Sequence, residues 1–136
     1  MFRTTLAPLV IALLAVTSGC STTASREPTR TPTGVPLTSY VGLTFDSVTT
    51  RLRPDTTVVV QDVSVLVGTD PTYTQIAFGS PEWDVVAICA DQETIEEATS
   101  VEVSIVPAVV ASPSFLDEAR DGDHDTTVTC DGRPHR

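Results

Sequence analysis

Few side chains in this sequence can move a proton near neutrality, and their positions narrow the chemistry at once. Only two histidines occur, His124 inside an acidic run and His135 beside the C-terminus. A Ser-His-Asp site would have to draw on His124, and no Gly-x-Ser-x-Gly turn presents a serine to it. The run Asp121-Gly122-Asp123-His124-Asp125 sets three carboxylates at alternate positions, in the manner of a calcium loop. Calcium takes about six to eight oxygens, and an EF-hand loop wants glycine and glutamate where this sequence has Thr126 and Gly132. Asp121, Asp123 and Asp125 therefore read as a solvated acidic turn, with no metal ion and no cofactor expected. Glu93, Glu96 and Glu97 have the right type for the paired acid and base of sugar hydrolysis. That chemistry needs a deep cleft, and a chain of 136 residues has little mass to build one. They read as a charged, solvated loop, and no catalytic residue is expected.

The three cysteines are more informative. Cys20 follows Thr17-Ser18-Gly19 at the end of an apolar run, residues 6–16, with Arg3 ahead of it. That run has the length of a signal-peptide core, well short of the roughly 20 residues that span a bilayer. Small residues directly before a cysteine resemble the lipobox of bacterial lipoproteins, with Thr17 standing where leucine is commonest. The resemblance implies a signal peptide over 1–19 and lipidation of Cys20. The chain would then be lipid-anchored at the outer, extracytoplasmic face of the cell membrane. Two or more acyl chains hold a protein there stably, whereas one does so marginally. The alternative is ordinary secretion with Cys20 free. Residues 21–34 hold no large apolar side chain and include Pro28 and Pro32, so 20–35 is expected to be a flexible, extended tether.

Cys89 and Cys130 remain. In an oxidising compartment two leftover cysteines pair, and closing so long a loop is worth about 4 kcal/mol on the chain-entropy account. The alternative, a nucleophilic Cys89, is opposed by Asp91, because a nearby carboxylate raises a thiol's pKa. Trp83, Tyr40 and Tyr73 form a candidate binding surface, since aromatic rings stack on sugars and anchor interfaces. Core packing is the competing role.

Charge bounds the partners. The chain carries −10 and contains no lysine, and losing Arg3 makes it −11. Such a body is repelled by phosphate backbones, so no nucleic-acid partner is expected. With 40% hydrophobic residues, residues 36–136 suit one small domain. Phe45, Val48 and Leu52 form one apolar stripe over 43–52, which predicts a helix capped by Thr44, stapled by Leu43 onto Val48 and stopped by Pro54. Residues 56–67 are β-branched and alternate, predicting a strand. Residues 68–81 are turn-rich, with Tyr73, Ile76 and Phe78 packing back. Strands are predicted over 83–90 and 101–106, the second with Val101, Val103 and Ile105 on one face, Glu102 and Ser104 on the other, and Pro107 at its end. The sum is an α+β layer pair: one short helix on a small, mainly antiparallel three-stranded sheet.

Val41-Gly42-Leu43-Thr44, followed by Val48 and Leu52, resembles the opening of a PASTA domain. Trp83-Asp84-Val85-Val86 and Val101-Glu102-Val103-Ser104-Ile105 resemble its later strands, as found in small actinobacterial secreted proteins. The likeness runs from Pro36 to Val106. Pro36 stands about two residues further from Gly42 than the family has it, and Asp91-Gln92-Glu93-Thr94 replaces the usual Pro-x-x-Gly segment. The resemblance implies a non-catalytic binding or interaction module contacting peptidoglycan fragments or another envelope protein, besides the membrane that holds its anchor. The alternative function is a small cell-wall hydrolase or metal-dependent enzyme.

Overall fold

The structure, a computed structural model, describes residues 34–130 and the backbone of 133–134. The expected signal segment, Cys20, the tether up to residue 33, and His135 lie outside the described residues. The chain enters through a 3-10 turn, Leu37–Tyr40, and a glycine turn into helix α1, Phe45–Thr49. Strands β1 (Thr57–Asp62), β2 (Trp83–Ala90) and β3 (Ser100–Pro107) follow, then helix α2 (Pro113–Arg120) and a two-residue ribbon, β4 (Thr129–Cys130) with β5 (Arg133–Pro134).

Helix α1 is shorter than its apolar stripe. Phe45 and Val48 are fully buried, while Leu52 lies beyond the helix end and packs against the same core. Thr44 occupies the N-cap but gives its hydroxyl to the Asp46 carboxylate rather than capping a backbone amide. Leu43 is exposed, so the expected staple onto Val48 is not the main packing at this end.

The predicted strand 56–67 stops at Asp62. Its carboxylate accepts the Ser64 N–H at 3.0 Å and the Ser64 hydroxyl, turning the chain into a 3-10 turn over Ser64–Val67. A side chain that bonds the backbone two residues on competes with the ladder, and here it wins. Ile76 does not pack back: it is 97% exposed. Tyr73 and Phe78 do, each edge-on to Phe45, at 6.4 and 5.4 Å.

The fold is α+β, with sheet order β1-β3-β2. The sheet is mixed rather than mainly antiparallel: β3 runs parallel to β1 and antiparallel to β2. The register puts Val58, Val60, Val85, Ile88, Val101, Val103 and Ile105 on one face, in one core with Phe45 and Val48. The opposite face is also covered, and Ser104 on it is fully buried. Its cover is a C-terminal strap. Ser104 donates to the Thr127 carbonyl at 3.1 Å, Glu102 accepts the Thr129 N–H at 3.0 Å, and Val128 packs on Ala87 and Cys89.

Helix α2 was not among the predicted elements. Ser112 caps it through the Phe115 N–H at 3.2 Å, and Pro113 takes the first helical position, where its missing N–H costs nothing. Its Ala119 is buried in the main core.

Candidate functional site

The strap is fastened covalently. Cys89 near the end of β2 and Cys130 in β4 form a disulfide, with Cα atoms 5.9 Å apart across 41 residues of chain. β2 places Cys89 on the face turned toward the strap because it pairs with Glu102 of β3. The pair expected from compartment is therefore formed, and it pins the polar C-terminal stretch to the sheet.

At the other end of β2 a groove of about 510 Å³ opens beside Trp83, lined by Thr72, Glu82, Trp83, Pro107, Ala108 and Val109. The indole is a wall and not a platform: Trp83 is 6% exposed, and the Tyr73 ring meets it edge-on at 5.5 Å. Tyr40 is 5% exposed, in the core. The three aromatics thus do not make one exposed stacking surface. Burial pushes the Tyr40 phenol up, Glu96 adds to that and Arg51 opposes it. Burial alone pushes the Tyr73 phenol up, and its hydroxyl has no hydrogen-bond partner among the described residues.

One wall of the groove depends on Asp62, which sequence reasoning passed over. Beyond Ser64, its carboxylate accepts the N–H groups of Thr72 and Tyr73 at 2.7 and 2.8 Å. Burial pushes this carboxyl up, but the bonds from Ser64, Tyr73 and Thr72 outweigh burial and hold it below the usual aspartate range. A carboxylate with that many donors behaves as a fixed post for the loop. Asp at the close of a β-branched run was the available signal.

A second hub lies under Gly42. This residue has φ of +76°, and a Cβ there would come within 2.5–2.7 Å of the Arg120 guanidinium. Its N–H donates to the Val85 carbonyl at 2.8 Å, and its carbonyl accepts from Arg120 Nη2 at 3.2 Å. Glycine is required twice over, for backbone angle and for space. Asp84 is buried nearby; burial raises its carboxyl above the usual range, against the pull of Arg120.

Helix α2, absent from the predicted elements, leads into the acidic turn. Asp121 ends α2, Asp125 starts a 3-10 turn, and Asp123 lies between. Among the described residues no group of three or more His, Cys, Asp or Glu side chains is placed to hold a metal ion. His124 stacks on Phe115, ring centres 4.7 Å apart, with Nε2 3.9 Å from Glu118. Glu96 reaches toward Arg51 at 3.8 Å, and one of its carboxylate oxygens is buried without a hydrogen-bond partner among the described residues. Among the described residues no helix is long and apolar enough to cross a membrane.

Chemically the arrangement offers a concave, half-apolar surface with one carboxylate, Glu82, and one hydroxyl, Thr72, on a domain stapled by a disulfide. Set against family models, curated proteins and solved structures, the chain matches none.

Proposed function

We propose that this chain is a lipid-anchored envelope protein whose domain, a divergent relative of PASTA domains, works as a binding module on the extracytoplasmic side. The observation that carries the reading is the groove beside Trp83: a concavity lined by apolar side chains with a few polar groups is the usual form of a small-ligand or peptide site. The Cys89–Cys130 disulfide supports an oxidising compartment, in agreement with the apolar run ending at Cys20. Support for the PASTA-like relationship comes from the Gly42 turn, the short helix behind it and a three-stranded sheet. Peptidoglycan fragments and a second envelope protein are the two occupants this reading admits.

Two measurements test it. Mass spectrometry of the mature chain should find an acylated Cys20 at the N-terminus, lost in Cys20→Ser. Titration of the full chain with purified muropeptides should then shift the emission of Trp83, its single tryptophan, and Val109→Asp should abolish the shift. An unmodified N-terminus removes the anchor; a silent titration leaves the protein partner as the occupant.

A further inference from the structure

We propose that the free edge of β1 takes up an extended, positively charged polypeptide segment as a fourth strand. The two edges of the sheet are treated differently. The edge at β2 is closed: Gly42 and Leu43 bond Val85 through both its N–H and C=O at 2.8 Å, Thr44 bridges to Asp84, and the ladder to β3 shifts register between Val85 and Ala87. Among the described residues the edge at β1 carries no such device. Its register against β3 is unbroken from Thr57 to Asp62, and Thr-Val-Val-Val-Gln contains no charge, glycine or proline. Natural sheets blunt an exposed edge with lysine, proline, a bulge or a covering loop, because unpaired backbone groups recruit another strand.

The unpaired groups can be named. Thr57 and Val63 donate their N–H groups to Thr99 and Ile105 of the β3 side, at 2.9 and 3.0 Å. Residues of that parity face β3, so Val58, Val60 and Asp62 aim N–H and C=O outward, where no described residue bonds them. These are the positions an added strand would use.

Charge selects the occupant. Residues 34–130 hold sixteen Asp and Glu against three Arg, a net −13, and each of those arginines already lies against a carboxylate: Glu96, Asp55 and Asp117. A second copy would bring a further chain of net charge −10 to the same edge, and repulsion opposes it. A cationic segment is drawn in. Beside the edge is a cleft of about 60 Å³ lined by Val59, Asp91, Ser100, Glu102, Thr129 and Cys130. Glu102 is the register partner of Val59, so its carboxylate stands on the face of β1 where Val59 is 45% exposed. Its Oε1 takes bonds from Gln61 and Thr129, whereas Oε2 has only the Thr129 hydroxyl at 3.3 Å. An added strand lies about 4.8 Å beyond β1, and an arginine or lysine on that face spans Val59 to reach Glu102. This surface is separate from the groove beside Trp83, so either stands without the other.

The test uses the full chain in detergent and two dye-labelled hexapeptides, one of alternating Arg and Thr, the other of alternating Glu and Thr. The Arg/Thr peptide should bind saturably by fluorescence anisotropy, weaken with added salt, and slow amide exchange at Val58 and Val60 without changing Val59 and Gln61. Val60→Pro removes an outward donor while leaving the β3 ladder intact, and should weaken binding at least about fivefold. Glu102→Gln keeps the acceptor for Thr129 and should flatten the salt dependence. Val59→Lys is an exposed change that leaves the core alone and should also weaken the cationic peptide. Equal affinity for the Glu/Thr peptide, absence of binding, or indifference to Val60→Pro in a normally melting variant overturns the inference. So does a dimer in sedimentation that Val59→Lys dissolves, because the edge would then belong to a second copy.

Discussion

Replacing Asp62 by alanine should both destabilise the domain and loosen the groove wall, and the size of the loss follows from which donors are stranded. Four donors converge on this carboxylate. The Thr72 N–H belongs to an exposed residue, and water replaces its partner. Ser64 is fully buried and Tyr73 half-buried, so their N–H groups lose a charged acceptor without full compensation. At about 1–3 kcal/mol for each stranded donor, the cost is about 3 kcal/mol. For a domain near 100 residues that lowers Tm by roughly 10–25 °C. Asp62→Asn keeps one acceptor oxygen and should cost about half as much. The effect must also depend on pH. The folded carboxyl titrates below its ordinary value, so its contribution is whole above the unfolded aspartate pKa and is lost as pH falls through the folded one. Circular dichroism melts across that acid range, with Trp83 emission recorded in parallel, provide the assay. The reasoning fails if Asp62→Ala stays within about 1 kcal/mol of the parent. It also fails if the gap between the two proteins does not close on acidification.

Three further outcomes follow from the geometry. Converting Cys89 and Cys130 together to serine frees a loop of 41 residues and should cost about 4 kcal/mol in urea unfolding, with amide exchange rising first over the strap. Gly42→Ala sets a Cβ against the Arg120 guanidinium at positive φ. It should cost about 1–2 kcal/mol for the angle alone, with part of any excess removed when Arg120→Ala is added. Asp84→Asn should stabilise the domain at neutral pH. A buried carboxyl whose pKa is raised is penalised when ionised, so the gain disappears below the ordinary aspartate value and grows in Arg120→Ala, as pH-dependent melts would record.

What could be read from the sequence was what local pattern encodes. β2 runs from Trp83 to Ala90 as its apolar run predicts, and Phe45 and Val48 are core because helical spacing puts them on one side. Three gaps share a cause. The strand through 56–67 ended early because Asp62 spends its carboxylate on backbone amides, a competition that hydrophobic alternation does not register. Helix α2 was hidden because Ser112-Pro113 looks like linker until something apolar lies beneath Ala119. The cover over Ser104 had no local signal because the strap arrives from 23 residues further along and is tied there by the disulfide.

Strand order is the deeper gap. Alternation says which residues share a face and nothing about which strands are neighbours, so the parallel pairing of β1 with β3 was invisible. That pairing decides which strand lies at the sheet's edge. Had β1 been the central strand, with β2 as a hairpin neighbour on one side and β3 on the other, the edge now open would have been internal, and the chain 68–82 would have been a hairpin connection. Instead β3 is central, the long connection from β1 folds over as the Tyr73 and Phe78 packing against Phe45, and Asp62 is needed to hold it. One topological choice therefore produces both candidate surfaces: the groove, walled by the loop Asp62 fixes, and the bare outer backbone of the same strand.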